Sequence, residues 1–367
     1  MVGRRTIRAA WLAAAAAGLG LLLGGCPNLI NPPSDKGGPA KLMKFQSADE
    51  LVQYFNAQVQ AQRRQATGGW SFGLPLLASA PPNAMEDQAG GTGGRADSDG
   101  TPYSGTNLQE EGVDEADVFK SDGTYFYLIE GQTLRIVRAN PLAEVAKLDL
   151  GHWLNDLYLL GDTVIAVGLP AVQSGGTSGA PQPAVDVAWM PYTPNTKTWV
   201  GQIDVSDRAA PALVHEVELD GALASSRVAD GRLVLVTTFA PELPMGFGGA
   251  APPVTLEQVT PMWRVDGDEQ TLVDWDTWYR PNNPDGYQTT AVVTIDTADV
   301  RNVIGSLAVV AAAGTIYMSP EALYLTDTQY DLNGGSRPVT AIHKITFDAA
   351  GVPQYAASGS VPGRLLN

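Results

Sequence analysis

One strand pattern returns along this chain, and it restricts the possible folds more than any other feature. The unit is a strand carrying an apolar residue, Ile and Asp, then a turn, a second strand, and a turn into a third. It reads Gln202-Ile203-Asp204-Val205-Ser206-Asp207, then Val214 to Leu219, then Asp230-Gly231-Arg232-Leu233-Val234-Leu235-Val236. It returns as Thr294-Ile295-Asp296-Thr297-Ala298-Asp299, Val303 to Val309 and Pro320 to Leu325. A weaker copy runs through Leu134-Arg135-Ile136-Val137, Val145 to Leu150 and Gly161 to Val167, and a fourth opens at Ile342-His343-Lys344-Ile345. Short β-branched and aromatic runs closed by Asp-Gly and Pro-rich turns are strand signals. No unit has enough strands to cover its own faces, so successive units must stack. Blades of a β-propeller satisfy this, and the spacing predicts an all-β domain over 103–367.

The starts at Ile136, Ile203, Ile295 and Ile345 are unevenly spaced because insertions intervene at about 169–198 and 240–288, both rich in Pro, Gly and Asn. Insertions of this kind leave a rigid scaffold at its loop face, where binding surfaces concentrate. The second is aromatic: Trp275, Trp278, Tyr279 and Tyr287 are the candidate platform for a sugar or peptide, the alternative being that they pin the insertion to the propeller.

Ahead of the repeats, Arg4, Arg5 and Arg8 precede an apolar stretch from Ala9 to Leu23 and the small pair Gly24-Gly25. That pattern predicts a signal peptide over 1–25, with an apolar run of about 15 residues where a membrane-spanning helix needs roughly 20. The tetrapeptide Leu23-Gly24-Gly25-Cys26 resembles the bacterial lipobox, whose cysteine takes diacylglycerol on sulfur. Cys26 is the only cysteine, so no intrachain disulfide competes. The expectation is an exported chain held at the cell membrane or outer membrane by lipid on Cys26. Pro27 in place of Asp favours the outer membrane, and Arg4-Arg5 loosely resembles a twin-arginine export signal. Residues 26–44 read as a flexible tether. Within 45–67, Ser47 and Glu50 have capping-box spacing, and Leu51, Phe55 and Val59 form one stripe of a short amphipathic helix expected to dock on the following domain, the alternative being a partner. Residues 68–102 read as a linker.

Loss of 1–25 leaves 20 of the 23 Lys and Arg against 39 Asp and Glu. A surface so acidic repels phosphate backbones, which excludes nucleic acid as a partner. Among the acids, Glu110, Glu111, Asp114, Glu115 and Asp117 cluster, and Asp114 and Asp117 are the candidate ligands for Ca²⁺. The cluster lacks the alternate-position spacing of a calcium loop, and the competing reading makes these residues turn formers at the propeller entry. Asp97, Asp99 and Gly100 look like a fragment of such a loop but lie in the linker. His152, His215 and His343 are isolated from one another, with no zinc-binding spacing. No Gly-x-Ser-x-Gly elbow and no phosphate-cradling loop occurs, so no catalytic residue and no cofactor is assigned.

The stretch Tyr103-Ser104-Gly105-Thr106-Asn107-Leu108-Gln109-Glu110-Glu111-Gly112-Val113-Asp114-Glu115-Ala116-Asp117-Val118-Phe119-Lys120-Ser121-Asp122-Gly123 resembles the opening motif of a family of secreted bacterial and archaeal proteins. These carry a C-terminal β-propeller distantly related to WD repeats. Thr315 to Ser319, Thr340 to Lys344 and Ser358 to Asn367 resemble the same family, and the helix at 47–66 its N-terminal segment. The resemblance implies a propeller of which about half the ring is present, because the family continues past the Val361-Pro362-Gly363 segment. It implies no particular chemistry. The expected function is a non-enzymatic envelope module that binds a protein or glycan through its inserted loops. The competing expectation is a hydrolase-like envelope enzyme whose groups converge at the axial face.

Overall fold

The computed structural model describes residues 40–67, 112–171, 196–243, 252–282, 286–329 and 338–365. The signal peptide, Cys26, most of the tether, the linker and residues 103–111 lie outside them. A short strand β1 (Leu42–Lys44) leads into helix α1 (Ala48–Thr67). Ser47 Oγ accepts the Glu50 amide at 3.1 Å, while the Glu50 carboxylate accepts the Gln46 amide at 2.8 Å. The cap is therefore reciprocal, displaced by one residue from the ideal box. Leu51, Phe55 and Val59 are all buried, and Phe55 meets Trp278 edge-on at 6.2 Å. The helix docks on its own domain, as its stripe predicts.

After β2 (Asp114–Glu115) come four meanders of four antiparallel strands. Blade 1 is β3 (Phe119–Ser121), β4 (Tyr125–Glu130), β5 (Thr133–Arg138) and β6 (Ala143–Asp149). Blade 2 is β7 (Trp153–Leu160), β8 (Thr163–Leu169), β9 (Lys197–Asp204) and β10 (Ala212–Asp220). Blade 3 starts with β11 (Ala222–Ala229) and β12 (Arg232–Phe239). The second insertion then adds helix α2 (Leu256–Val259) and strands β13 (Met262–Val265), β14 (Asp268–Thr271) and β15 (Trp278–Pro281). Blade 3 closes with β16 (Thr289–Asp296) and β17 (Val303–Val309). Blade 4 is β18 (Ile316–Met318), β19 (Ala322–Gln329), β20 (Val339–Phe347) and β21 (Pro353–Pro362).

The repeated isoleucine takes the same place in every blade. Ile136, Ile203, Ile295 and Ile345 sit on the third strand, opposite Tyr127, Val164, Leu233 and Leu323 of the second. All eight are buried. Beside each isoleucine the pairing with the fourth strand is bulged, which sharpens the twist there. Asp204 and Asp296 each accept the amide two residues on at 2.8 Å, so the acid of the signature builds the turn. The repeat read from sequence thus spans two blades: it starts on a third strand and ends on the second strand of the next. The first strands between them, β7, β11 and β18, are absent from that reading. Ala222–Ala229 shows why, because Ala-Leu-Ala-Ser-Ser-Arg-Val-Ala carries little β-branched signal.

Three apolar cores separate the four blades. Tyr127, Leu134 and Ile136 meet Leu157, Val164 and Ile203 between blades 1 and 2. Ile165, Val167 and Val200 meet Leu233, Leu235 and Val293 between blades 2 and 3, with α1 closing that core. Val234, Val236 and Val292 meet Leu323, Leu325 and Ile345 between blades 3 and 4. Strand β12 shows the logic: Leu233 and Leu235 point one way, Val234 and Val236 the other, and both faces are dry. Each such side chain contributes about 1.5–3 kcal/mol on burial. Among the described residues no core joins blade 4 to blade 1, and the sheets do not close into a ring.

The second insertion wraps the periphery. Strands β13 and β14 extend blade 2 beyond β10, while β15 runs parallel to β17 and carries β1 on its far side.

Candidate functional site

Residues 113–120, the centre of the motif that opens the propeller, run along the inner edges of the blades in reverse order. Val113 is buried in the core between blades 3 and 4. Asp114 and Glu115 pair with Val228 and Arg227 of β11 in blade 3. Ala116 packs on the core between blades 2 and 3. The Asp117 carbonyl accepts the Leu157 amide of β7 at 2.8 Å, bridging to blade 2. Phe119 then enters blade 1. One extended segment thereby satisfies inner-edge backbone groups of blades 2 and 3 that would otherwise lie unpaired.

A polar network fills this inner edge. Lys120, only 5% exposed, donates from Nζ to Asp114 Oδ1 at 2.7 Å and to the Glu115 carbonyl at 2.8 Å. Ser226 Oγ donates to Asp156 Oδ2 at 2.5 Å, which uses its single hydrogen, so the Tyr158 hydroxyl donates to Ser226 at 2.7 Å. Burial raises the Asp156 carboxyl above its ordinary range, and the Ser226 bond and Arg227 oppose that. Burial likewise raises the Tyr158 phenol. Each of these groups has a hydrogen-bond partner, and the network ties the inner strands together.

A second cluster lies where the loops leave the scaffold. Because strands alternate in direction, the connection from second to third strand emerges at the same end of each blade as the link to the next blade. In blade 1 it is the tight turn at Gly131-Gln132; in blades 2, 3 and 4 it is the longer stretch between β8 and β9, β12 and β16, and β19 and β20. At this end of blade 2, His152 stacks on Trp199 with ring centres 4.3 Å apart and planes 12° apart. His152 Nδ1 accepts the Ala171 amide at 3.0 Å, which places the ring hydrogen on Nε2, 3.5 Å from Glu216 Oε2. The Trp199 indole N–H donates to the same oxygen at 2.8 Å. Burial lowers the His152 pKa although Glu216 and Glu218 pull it up. Gly201 is the floor of this arrangement, since a Cβ there would lie 2.2 Å from the Trp199 ring. Trp153, 44% exposed, rests on Gly131 of blade 1 at the same end. The cluster offers a half-exposed carboxylate held by an indole, and Trp153 exposes a second indole at the same end of the blades. Sequence reading treated His152 as isolated, and no local signal shows that it meets Trp199, 47 positions later.

The other candidate residues are dispersed. Asp114 is held by Lys120, and Asp117 Oδ1 accepts the Phe119 amide at 3.3 Å in a turn. Among the described residues no group of three or more His, Cys, Asp or Glu surrounds a common point. Trp275 opens a 3-10 turn and is 41% exposed. Trp278 is wholly buried, and its ring meets Phe55 where the platform reading would have it meet a ligand. Tyr279 and Tyr287 are half-buried against the cores flanking blade 3. The four aromatics therefore do not form one exposed face. His343 Nδ1 shares a hydrogen with Ser358 Oγ at 2.7 Å, and Ser358 meets the Tyr355 hydroxyl at 2.9 Å. His343 is 2% exposed, its Nε2 has no partner, and burial pushes its pKa down to about 4. His152, His215 and His343 lie in three different places: the loop end of blade 2, its fourth strand, and the junction of blades 3 and 4.

Four-stranded meanders stacked face to face through three cores are the architecture of a β-propeller. The chain belongs to the β-propeller domain family, whose model matches residues 103–367. No curated protein matches the sequence. Among solved structures it is similar to Drosophila Plexin A in complex with Semaphorin 1b, at 11% identity and TM-score 0.22, over 64% of this chain and 52% of that one. The match thus spans about half of the Plexin A chain. It is also similar to Hsv2 of Kluyvelomyces marxianus, at 9% identity and TM-score 0.21, over 64% of this chain and 81% of that one. A hypothetical selenium-binding protein from Sulfolobus tokodaii follows at 8% identity and TM-score 0.19, over 66% and 77%. Likenesses this remote carry no further argument.

Proposed function

We propose that this protein is a lipid-anchored β-propeller of the bacterial cell envelope that binds a protein or glycan through the loop-bearing end of its blades. A propeller is a rigid scaffold for interaction, and scaffolds bind through the loops they hold still. The observation that carries the reading is positional. The three long second-to-third-strand connections, in blades 2, 3 and 4, leave from one end, and the Trp153, His152, Trp199 and Glu216 cluster sits at that end. The anchor rests on the lipobox-like Leu23-Gly24-Gly25-Cys26 and on the signal-peptide pattern before it. Two acyl groups or more at Cys26 give durable attachment without a membrane-spanning segment. Among the described residues no helix is long and apolar enough to cross a membrane.

Fractionation tests the anchor. Cys26→Ser moves the protein from the membrane to the soluble fraction and ends labelling by palmitate; retention in the membrane with the serine in place contradicts the reading. Affinity purification from envelope extracts tests the surface. Trp153→Ala combined with Glu216→Lys lowers partner recovery at least tenfold, whereas Ala209→Arg, at the opposite end of blade 2, leaves it unchanged. Equal recovery from both variants places binding elsewhere.

A further inference from the structure

Many of the blades' acids have one of two structural duties. Some balance a cation: Glu218 pairs with Lys197, Asp220 and Glu269 with Arg264, Asp122 and Asp162 with Arg208. Others accept a backbone amide and so build a turn, as Asp149, Asp204 and Asp296 do. Glu216 has neither duty. It sits on β10 opposite Gly201, half-exposed, and among the described residues no Lys or Arg pairs with it. The His152 ring next to it is neutral at pH 7, because burial lowers a pKa that ordinarily lies at 6.5. The negative charge is therefore uncompensated, yet the carboxylate is held still. The Trp199 indole donates to Oε2 at 2.8 Å, and His152 Nε2 faces the same oxygen at 3.5 Å. Trp199 is itself buried over Gly201 and stacked on His152. The link before β7, strand β9 and strand β10 thus converge to fix one surface carboxylate.

We infer that Glu216 anchors a lysine side chain of a protein partner. This rests on the reading that the loop end of the blades binds a partner, and it selects one of the two partner classes. A neutral sugar brings no charge to an unpaired carboxylate. An ammonium does, and it forms a charge-assisted hydrogen bond of about 2.7–2.9 Å with such an oxygen. Among the described residues no donor reaches Glu216 Oε1, which is the oxygen left for it. Geometry separates lysine from arginine. The guanidinium fork makes its parallel bonds to both oxygens of a carboxylate, and here Oε2 already faces two N–H groups, one for each of its lone pairs. The ammonium is a compact point charge and needs one oxygen. The chain's net charge of −16 attracts a partner that carries such a group.

Heteronuclear magnetic resonance on the full chain carrying Cys26→Ser tests this at the Trp199 indole N–H, whose partner is Glu216. The probe is the capped peptide Gly-Gly-Lys-Gly-Gly. Its addition moves the Trp199 indole resonance in a saturable titration. The norleucine analogue, which keeps the aliphatic stem without the charge, leaves the resonance in place, and the arginine analogue binds at least threefold more weakly. Glu216→Gln retains an acceptor for the indole and removes the charge. It abolishes the shift with an unchanged circular dichroism spectrum and lowers partner recovery from envelope extracts at least tenfold. No shift with the lysine peptide, an equal shift with the norleucine or arginine peptide, or a titration indifferent to Glu216→Gln would each overturn the inference. If Glu216→Gln recovers partners at the wild-type level while Trp153→Ala with Glu216→Lys loses them, the lysine anchor fails and the loop-end reading stands. If the double variant recovers them as well, the loop-end reading fails too.

Discussion

His343 and Gly201 show how single residues are committed by their surroundings. The His343 imidazole is held neutral in a dry junction, with its folded pKa, about 4, below the ordinary 6.5. The unfolded chain therefore binds more protons between these values, and the stability that the neutral ring contributes is complete above about pH 6.5 and is lost as pH falls toward 4. Urea unfolding across that window gives a declining midpoint for the wild type, and His343→Phe flattens the decline; an equal slope in both proteins would refute the assignment. Gly201 leaves no room for a side chain, because the Trp199 ring lies flat over it. Gly201→Ala must displace that ring from His152 and Glu216, for a loss of about 1–3 kcal/mol, visible as lower stability and altered tryptophan fluorescence. Of these details, the four buried isoleucines were legible in the sequence because each recurs with an acid and a turn. The His152–Trp199 stack was not, since His152 comes from the link before β7 and Trp199 from β9, and neither carries a local pattern.

At the scale of elements, helix α1 was legible almost to its ends, because Ser47, Glu50 and the Leu51, Phe55 and Val59 stripe are all local signals. The first strands of blades 2, 3 and 4 were not, and neither was the path of residues 113–120, whose acids look like ligands until the inner edges they pair with are in view. Arg208, in the turn after β9, ties blade 2 to blade 1. Its Nε donates to the Tyr127 hydroxyl at 2.9 Å and its Nη1 to Asp162 at 2.5 Å. Tyr127 donates in turn to Asp122 at 2.9 Å, and burial pushes its phenol up to about 12. Arg208→Ala strips the buried hydroxyl of a donor and removes the ion pairs of Arg208 with Asp162 and, across the two blades, with Asp122, lowering stability by about 1–3 kcal/mol. Denaturant titration reads this directly, and an unchanged midpoint would mean that the apolar core alone joins the two blades.

For the whole molecule, the propeller class was legible because units too small to cover their own faces leave few ways to fold. How the blades are held together was not, since that depends on one segment lying against all of them. Residues 113–120 touch the junction of blades 3 and 4, pair with blade 3, bridge to blade 2 and enter blade 1. The second insertion, expected to display a binding surface, instead clasps the outer edges of blades 2 and 3 and buries Trp278 beneath α1. The surface we propose for a partner is the loop end of the blades. Native-state hydrogen exchange on the unmodified chain tests this architecture most directly, at the Leu157 amide that donates to Asp117. The account predicts that Leu157 exchanges as slowly as the amides at the centre of β8. Exchange of Leu157 within minutes while β8 stays protected would contradict it.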